Sequence, residues 1–90
     1  MRTTPAPGVT SRILENGHLE LFVGDTGRRL QWGRVSAAVW IALRQHRGQC
    51  TAAADMLADL WDIDRINMRT EVEIRVDEWC DAGLMCRERD

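Results

Sequence analysis

The chain is poor in the groups from which reactive sites are usually built. It has three cysteines, Cys50, Cys80 and Cys86, and two histidines, His18 and His46. Cys80 and Cys86 stand too far apart for a zinc knuckle and have no histidine near them in sequence, so no metal site is indicated. An odd cysteine count without a secretory signal fits reduced thiols, and Cys50 and Cys80 read as buried apolar side chains. No apolar run approaches a membrane span, and residues 1–8 lack the apolar stretch of a signal peptide. They are expected to be a flexible lead-in, with residues 9–87 a single domain in the cytoplasm. Excess positive charge is missing too. Twelve Lys and Arg face fourteen Asp and Glu, for a net charge of −2, so no overall field draws the chain to nucleic acid or anionic lipid.

Catalytic groupings are equally sparse. A reaction centre needs a nucleophile or base with an orienting partner. His18 lies beside a hairpin turn and His46 at a helix end, where both read as surface residues. Glu71, Glu73, Asp77 and Glu78 read as charges on an amphipathic helix. Gly24-x-x-Gly27 lacks the Lys-Ser/Thr and the helix that would make it a phosphate loop. The expectation is therefore no enzyme, no cofactor and no metal.

What is present is a foldable pattern: 44% hydrophobic residues and punctuation in the right places. A strand over residues 9–14 meets Asn16-Gly17, a pair favoured in type I′ hairpin turns, where both central residues need positive φ. The second strand, 18–23, puts Leu19, Leu21 and Val23 on one face and Phe22 on the other. A turn at Gly24-Asp25-Thr26-Gly27 leads into a third strand, 28–32. The first helix carries Val35, Ala38, Val39, Ala42 and Leu43 on one face, Trp40 at its edge, and Gly48 as its C′ residue. The second presents Ala53, Met56, Leu57, Leu60 and Trp61 as its buried side. Asp64 is the expected N-cap of a third helix, 66–81, with Met68, Val72, Val76 and Trp79 in one row and Gly83 closing it before Leu84 and Met85 tuck back. The predicted class is α+β, winged helix-turn-helix-like: a three-stranded antiparallel sheet followed by three helices.

Binding is the function class left, and two surfaces offer it. The third strand lies beside a helix border of Asp64, Met68, Glu71, Arg75 and Glu78, which would frame a groove for an extended peptide. The same border also reads as ordinary solvated helix surface, with the strand edge guarded by Arg28 and Arg29. The other surface is a DNA-reading helix. The third helix carries five acids (Glu71, Glu73, Asp77, Glu78, Asp81) against Arg65, Arg69 and Arg75, the reverse of what phosphate neutralisation needs. A small winged-helix DNA-binding or transcription-associated protein is the alternative; a domain that merely bridges two enzymes is a third.

Thr26-Gly-Arg-Arg-Leu-Gln-Trp32, followed by Ser36-Ala-Ala-Val-Trp40-Ile-Ala-Leu43, resembles the strand and helix of PqqD-like proteins. Gln49-Cys-Thr-Ala-Ala-Ala-Asp-Met-Leu57 and Leu60-Trp-Asp-Ile63 are similar to that family's second helix. Glu71-Val72, Trp79 and Asp81-Ala-Gly-Leu84 resemble its closing run. Two positions depart from it: Arg29 stands where an aromatic is common, and Trp32-Gly33 replaces Leu-Asn. The resemblance implies a recognition element for ribosomally made, modified peptides, most like the discrete recognition protein of lasso-peptide pathways. Such a protein would bind a precursor's leader as an added β-strand between the third strand and the third helix. It would then present the leader to a leader-cleaving cysteine protease and to an ATP-dependent cyclase. Carried onto this chain, the leader-binding residues are Arg28, Arg29, Leu30, Gln31 and Trp32 on the strand, and Met68, Glu71, Val72, Arg75 and Glu78 on the helix. Apolar leader side chains would pack against Leu30, Met68 and Val72, and proline at Leu30 would abolish binding with the fold mostly intact. A monomer or weak homodimer is expected, because an open edge also pairs with its own copy.

Overall fold

The computed structural model describes residues 2–88. Five strands and three helices follow in the order β1 Arg2–Pro5, β2 Val9–Ile13, β3 Leu19–Val23, β4 Arg28–Trp32, α1 Arg34–Gln45, α2 Cys50–Trp61, α3 Arg65–Asp81 and β5 Met85–Glu88. β2, β3 and β4 form the expected antiparallel meander, with Leu21 opposite Leu30 and Leu19 opposite Trp32. Alternation sends Leu19 and Leu21 into the interior, where both are fully buried. The first hairpin turn departs from expectation. Only Gly17 of the Asn-Gly pair has positive φ, and its N–H donates to the Leu14 carbonyl at 2.9 Å. That is a type I turn closed by a left-handed glycine, the form that suits a three-residue loop.

The helices stop where the backbone can turn left-handed. At the end of α3 the Leu84 N–H reaches back to the Trp79 carbonyl (2.8 Å) and the Gly83 N–H to Cys80 (3.1 Å), with Gly83 at φ +76°. α1 ends in the same way one residue earlier than expected. Arg47, at φ +56°, takes the C′ place and Gly48 follows it, donating to Leu43. At the start of α3, the Asp64 carboxylate accepts from the Asn67 N–H at 3.0 Å, the expected cap.

One interior joins the sheet to all three helices. Trp79 is completely buried in the same core as Leu19, Leu21, Leu43, Leu57, Val72 and Val76. The Trp40 and Trp79 rings meet edge to face at 5.1 Å, and Trp40, at the border of its helix's apolar face, is a core residue as expected. Three side chains assigned to buried faces are exposed instead: Val35, Leu60 and Trp61. The core-facing side of α2 is narrower than its apolar composition, because Ala53, Ala54, Leu57 and Ala58 already fill the contact with α1 and α3.

The lead-in is also corrected. Arg2–Pro5 pairs antiparallel with β5, Thr3 opposite Arg87, and the Thr3 N–H donates to the Gly48 carbonyl at 2.9 Å. Thr3 is buried, and Arg2 pairs with Glu88 at 3.1 Å. A four-residue stretch ending in proline carries no alternating pattern of its own. Its partner lies at the far end of the chain.

Candidate functional site

The direction of backbone groups in the sheet follows from two bonds at its ends. The Leu14 N–H donates to the His18 carbonyl and the Gly24 N–H to the Gly8 carbonyl, so His18 and Gly24 point at the β2 side. Alternate residues of an antiparallel strand point the same way, which places Glu20 and Phe22 with them. Leu19, Leu21 and Val23 therefore point at β4, and their register partners Trp32, Leu30 and Arg28 point back at β3. The N–H and C=O groups of Arg29 and Gln31 are left facing outward. β4 is an edge strand, and no other strand among the described residues pairs with it.

Side chains alternate on the other axis. Leu30 and Trp32 face the helical layer and are partly buried against the core. Arg29 and Gln31 lie on the outer face, where the Arg29 guanidinium sits 5.7 Å from the centre of the Phe22 ring. β4 thus offers backbone from Arg29 and Gln31, and side chains from Leu30 and Trp32.

α3 flanks the end of this strand. The Trp32 indole Nε1 donates to the Glu78 carboxylate at 3.0 Å, and its ring meets Trp79 edge-on at 6.1 Å. One turn earlier, the Arg75 Nε donates to the Ser36 hydroxyl (3.1 Å), while its other arm holds the Glu71 carboxylate at 2.6 Å. Trp32 with Glu78, and Arg75 with Glu71, thus lie on successive turns along one seam, with Ser36 as a member that the sequence did not flag. Met68 and Val72 are not on its surface: they are 2% and 0% exposed, inside the core. Apolar contacts for a peptide at this seam come from Leu30 and Trp32 instead. Glu71 and Arg75 each lie one residue, about 100° around the helix, from buried Val72 and Val76.

Among the described residues, no three His, Cys, Asp or Glu side chains group closely enough to hold a metal. No helix in them is long and apolar enough to cross a membrane. The thiols are graded: Cys50 is buried, Cys80 half-buried and Cys86 exposed. Burial pushes the Cys50 and Cys80 thiols above their ordinary pKa. Titration of the folded protein with a disulfide reagent is expected to consume Cys86 at once and Cys50 only on unfolding; immediate reaction of Cys50 would contradict the packing at the start of α2.

No family model and no curated protein sequence matches the chain. Solved structures do match its fold. Lasso peptide synthetase B1 complexed with the leader peptide superposes with a TM-score of 0.82 over 97% of this chain and 100% of its own, at 15% identity. TbiB1 in complex with the TbiA(beta) leader peptide superposes with a TM-score of 0.80 over the whole of both chains, at 16% identity. At these identities the likeness is one of fold.

Proposed function

We propose that the protein captures the leader segment of a precursor peptide as an added strand on β4, without catalysis, in the biosynthesis of a lasso-type ribosomal peptide. The observation that carries this reading is the open edge of Arg29 and Gln31 beside α3. It lies in a fold shared end to end with two proteins solved in complex with leader peptides. The PqqD-like sequence pattern supports the same reading.

The backbone geometry limits how a leader would lie. Its main chain bonds Arg29 and Gln31, two residues apart. Alternate side chains, those level with Leu30 and Trp32, point toward α3, while the others point over the outer face. Burying two or three apolar leader side chains at roughly 25 cal/mol per Å² supplies several kcal/mol. Ordering a flexible leader takes back about 2–5 kcal/mol, which leaves sub-micromolar to micromolar affinity. Held in this way, the leader would be presented in the cytoplasm to a cysteine protease that cleaves it and then to an ATP-dependent cyclase.

Fluorescence anisotropy of the labelled leader from the precursor of the same pathway tests the reading. Saturable binding near micromolar is expected, with little effect from moderate salt. No binding by folded protein overturns it, and tight, steeply salt-dependent binding to duplex DNA would place the protein with DNA-reading winged helices.

A further inference from the structure

Five large apolar side chains lie exposed around the end of α2: Val35, Ile41, Leu60, Trp61 and Ile63. Leu60 is 68% exposed. They are grouped, not scattered. Trp61 is shared by two adjoining hollows. One, of about 490 Å³, lies between Val35, Ile63 and Thr70 with Met68 at its floor. The other, of about 320 Å³, runs between α1 and α2 beside Ile41, Met56 and Leu60. A contiguous apolar patch rimmed by polar groups marks an interaction surface.

The walls of this surface decide what fits it. They are helices, whose amides are already bonded along their own axes, so an extended peptide finds no ladder here. The face offers side-chain packing alone, which a helix laid into a groove can use. Charge decides the flanks. From Asp55 to Asp64 the chain holds four aspartates and no Lys or Arg. Arg69 and Arg65 pair with the first two, Asp55 at 3.0 Å and Asp59 at 3.2 Å. Asp62 makes no ion pair among the described residues, and Asp64 spends one oxygen on its cap. The rim beside Trp61 and Ile63 is therefore acidic. A second copy docked through the same face would bring Asp62 and Asp64 toward their own counterparts, which is repulsive. A partner with basic flanks meets opposite charge.

We propose that this face docks an amphipathic helix of a second protein, with an apolar ridge flanked by arginine or lysine. The surface contains no residue of β4; Glu71, which lines the first hollow and also meets Arg75, is the one residue it shares with the seam beside that strand. Amide and indole NMR spectra of the full chain test it, titrated with two synthetic amphipathic helices that share a leucine face. One is flanked by arginine and the other by glutamate. The arginine-flanked helix is expected to shift the Trp61 indole and the Leu60 and Ile63 amides saturably, at least about tenfold more tightly than its counterpart. Raised salt should narrow that gap. A Leu60→Ser, Ile63→Ser double variant, altered only at exposed positions, should lose this response and bind leader as the parent does. Four results would each overturn the proposal: equal binding of both helices, absence of binding, shifts confined to another face, or shifts of these signals produced by protein concentration alone or by the leader peptide.

Discussion

Gln31→Pro is expected to weaken leader binding at least about tenfold while the melting temperature barely moves. The Gln31 N–H faces the open edge, so proline removes a donor that no strand of the protein uses. It also sets a ring where the leader backbone must come. Losing one ladder bond costs about 0.5–1.5 kcal/mol, and the ring adds its own exclusion. Leu30→Pro should behave in the opposite way, against the expectation from sequence alone. Leu30 directs its N–H at Leu21, inside the sheet, and its side chain packs against the core. Proline there orphans a carbonyl of β3 and leaves a gap, on the order of 3 kcal/mol together. Its binding defect would then reflect a damaged fold. Anisotropy and thermal melts of both variants separate the cases. Parental binding by Gln31→Pro would move the leader away from β4.

Gly48→Ala is expected to be the most damaging single-methyl change in the protein. Gly48 is buried with φ +79°, and a Cβ placed there would run into the Thr3 carbonyl. The strained backbone costs about 1–3 kcal/mol and the crowding a similar amount. A loss of about 3 kcal/mol in a domain of this size lowers the melting temperature by more than about 10 °C. β1 is the neighbour that must yield, since Thr3 donates to Gly48 and Arg2 bridges to Gln49. Hydrogen exchange should therefore show the Thr3 amide losing protection before those of the core helices. A Gly48→Ala protein as stable as the parent would mean that β1 is not seated on the α1–α2 turn.

The elements themselves were legible because their signals are local. Period-two alternation in β3, the aspartate before α3 and the glycine after it act within a few residues. The departures have a different origin. Nothing in the first residues announces a strand, because Thr3 is held by Gly48 and by Arg87, far along the chain. Leu60 and Trp61 follow the buried periodicity of α2 and still face outward, because small alanines let α1 and α3 close on that helix without them. Periodicity puts Val72 on the core face of α3, where it lies; the groove role for Met68 and Val72 comes from the family resemblance, which carries positions and not depth of burial.

The candidate site divides along the same line. The order of residues determined that a Gly-bounded strand with Leu30 and Trp32 on one face precedes three helices. Tertiary structure alone decided which amides of β4 are spent on β3 and which remain open. It also put Glu78 and Arg75 beside Trp32 and Ser36, and left Trp61 uncovered. Edge, seam and patch are relations between segments dozens of residues apart, and only packing brings such segments into one place.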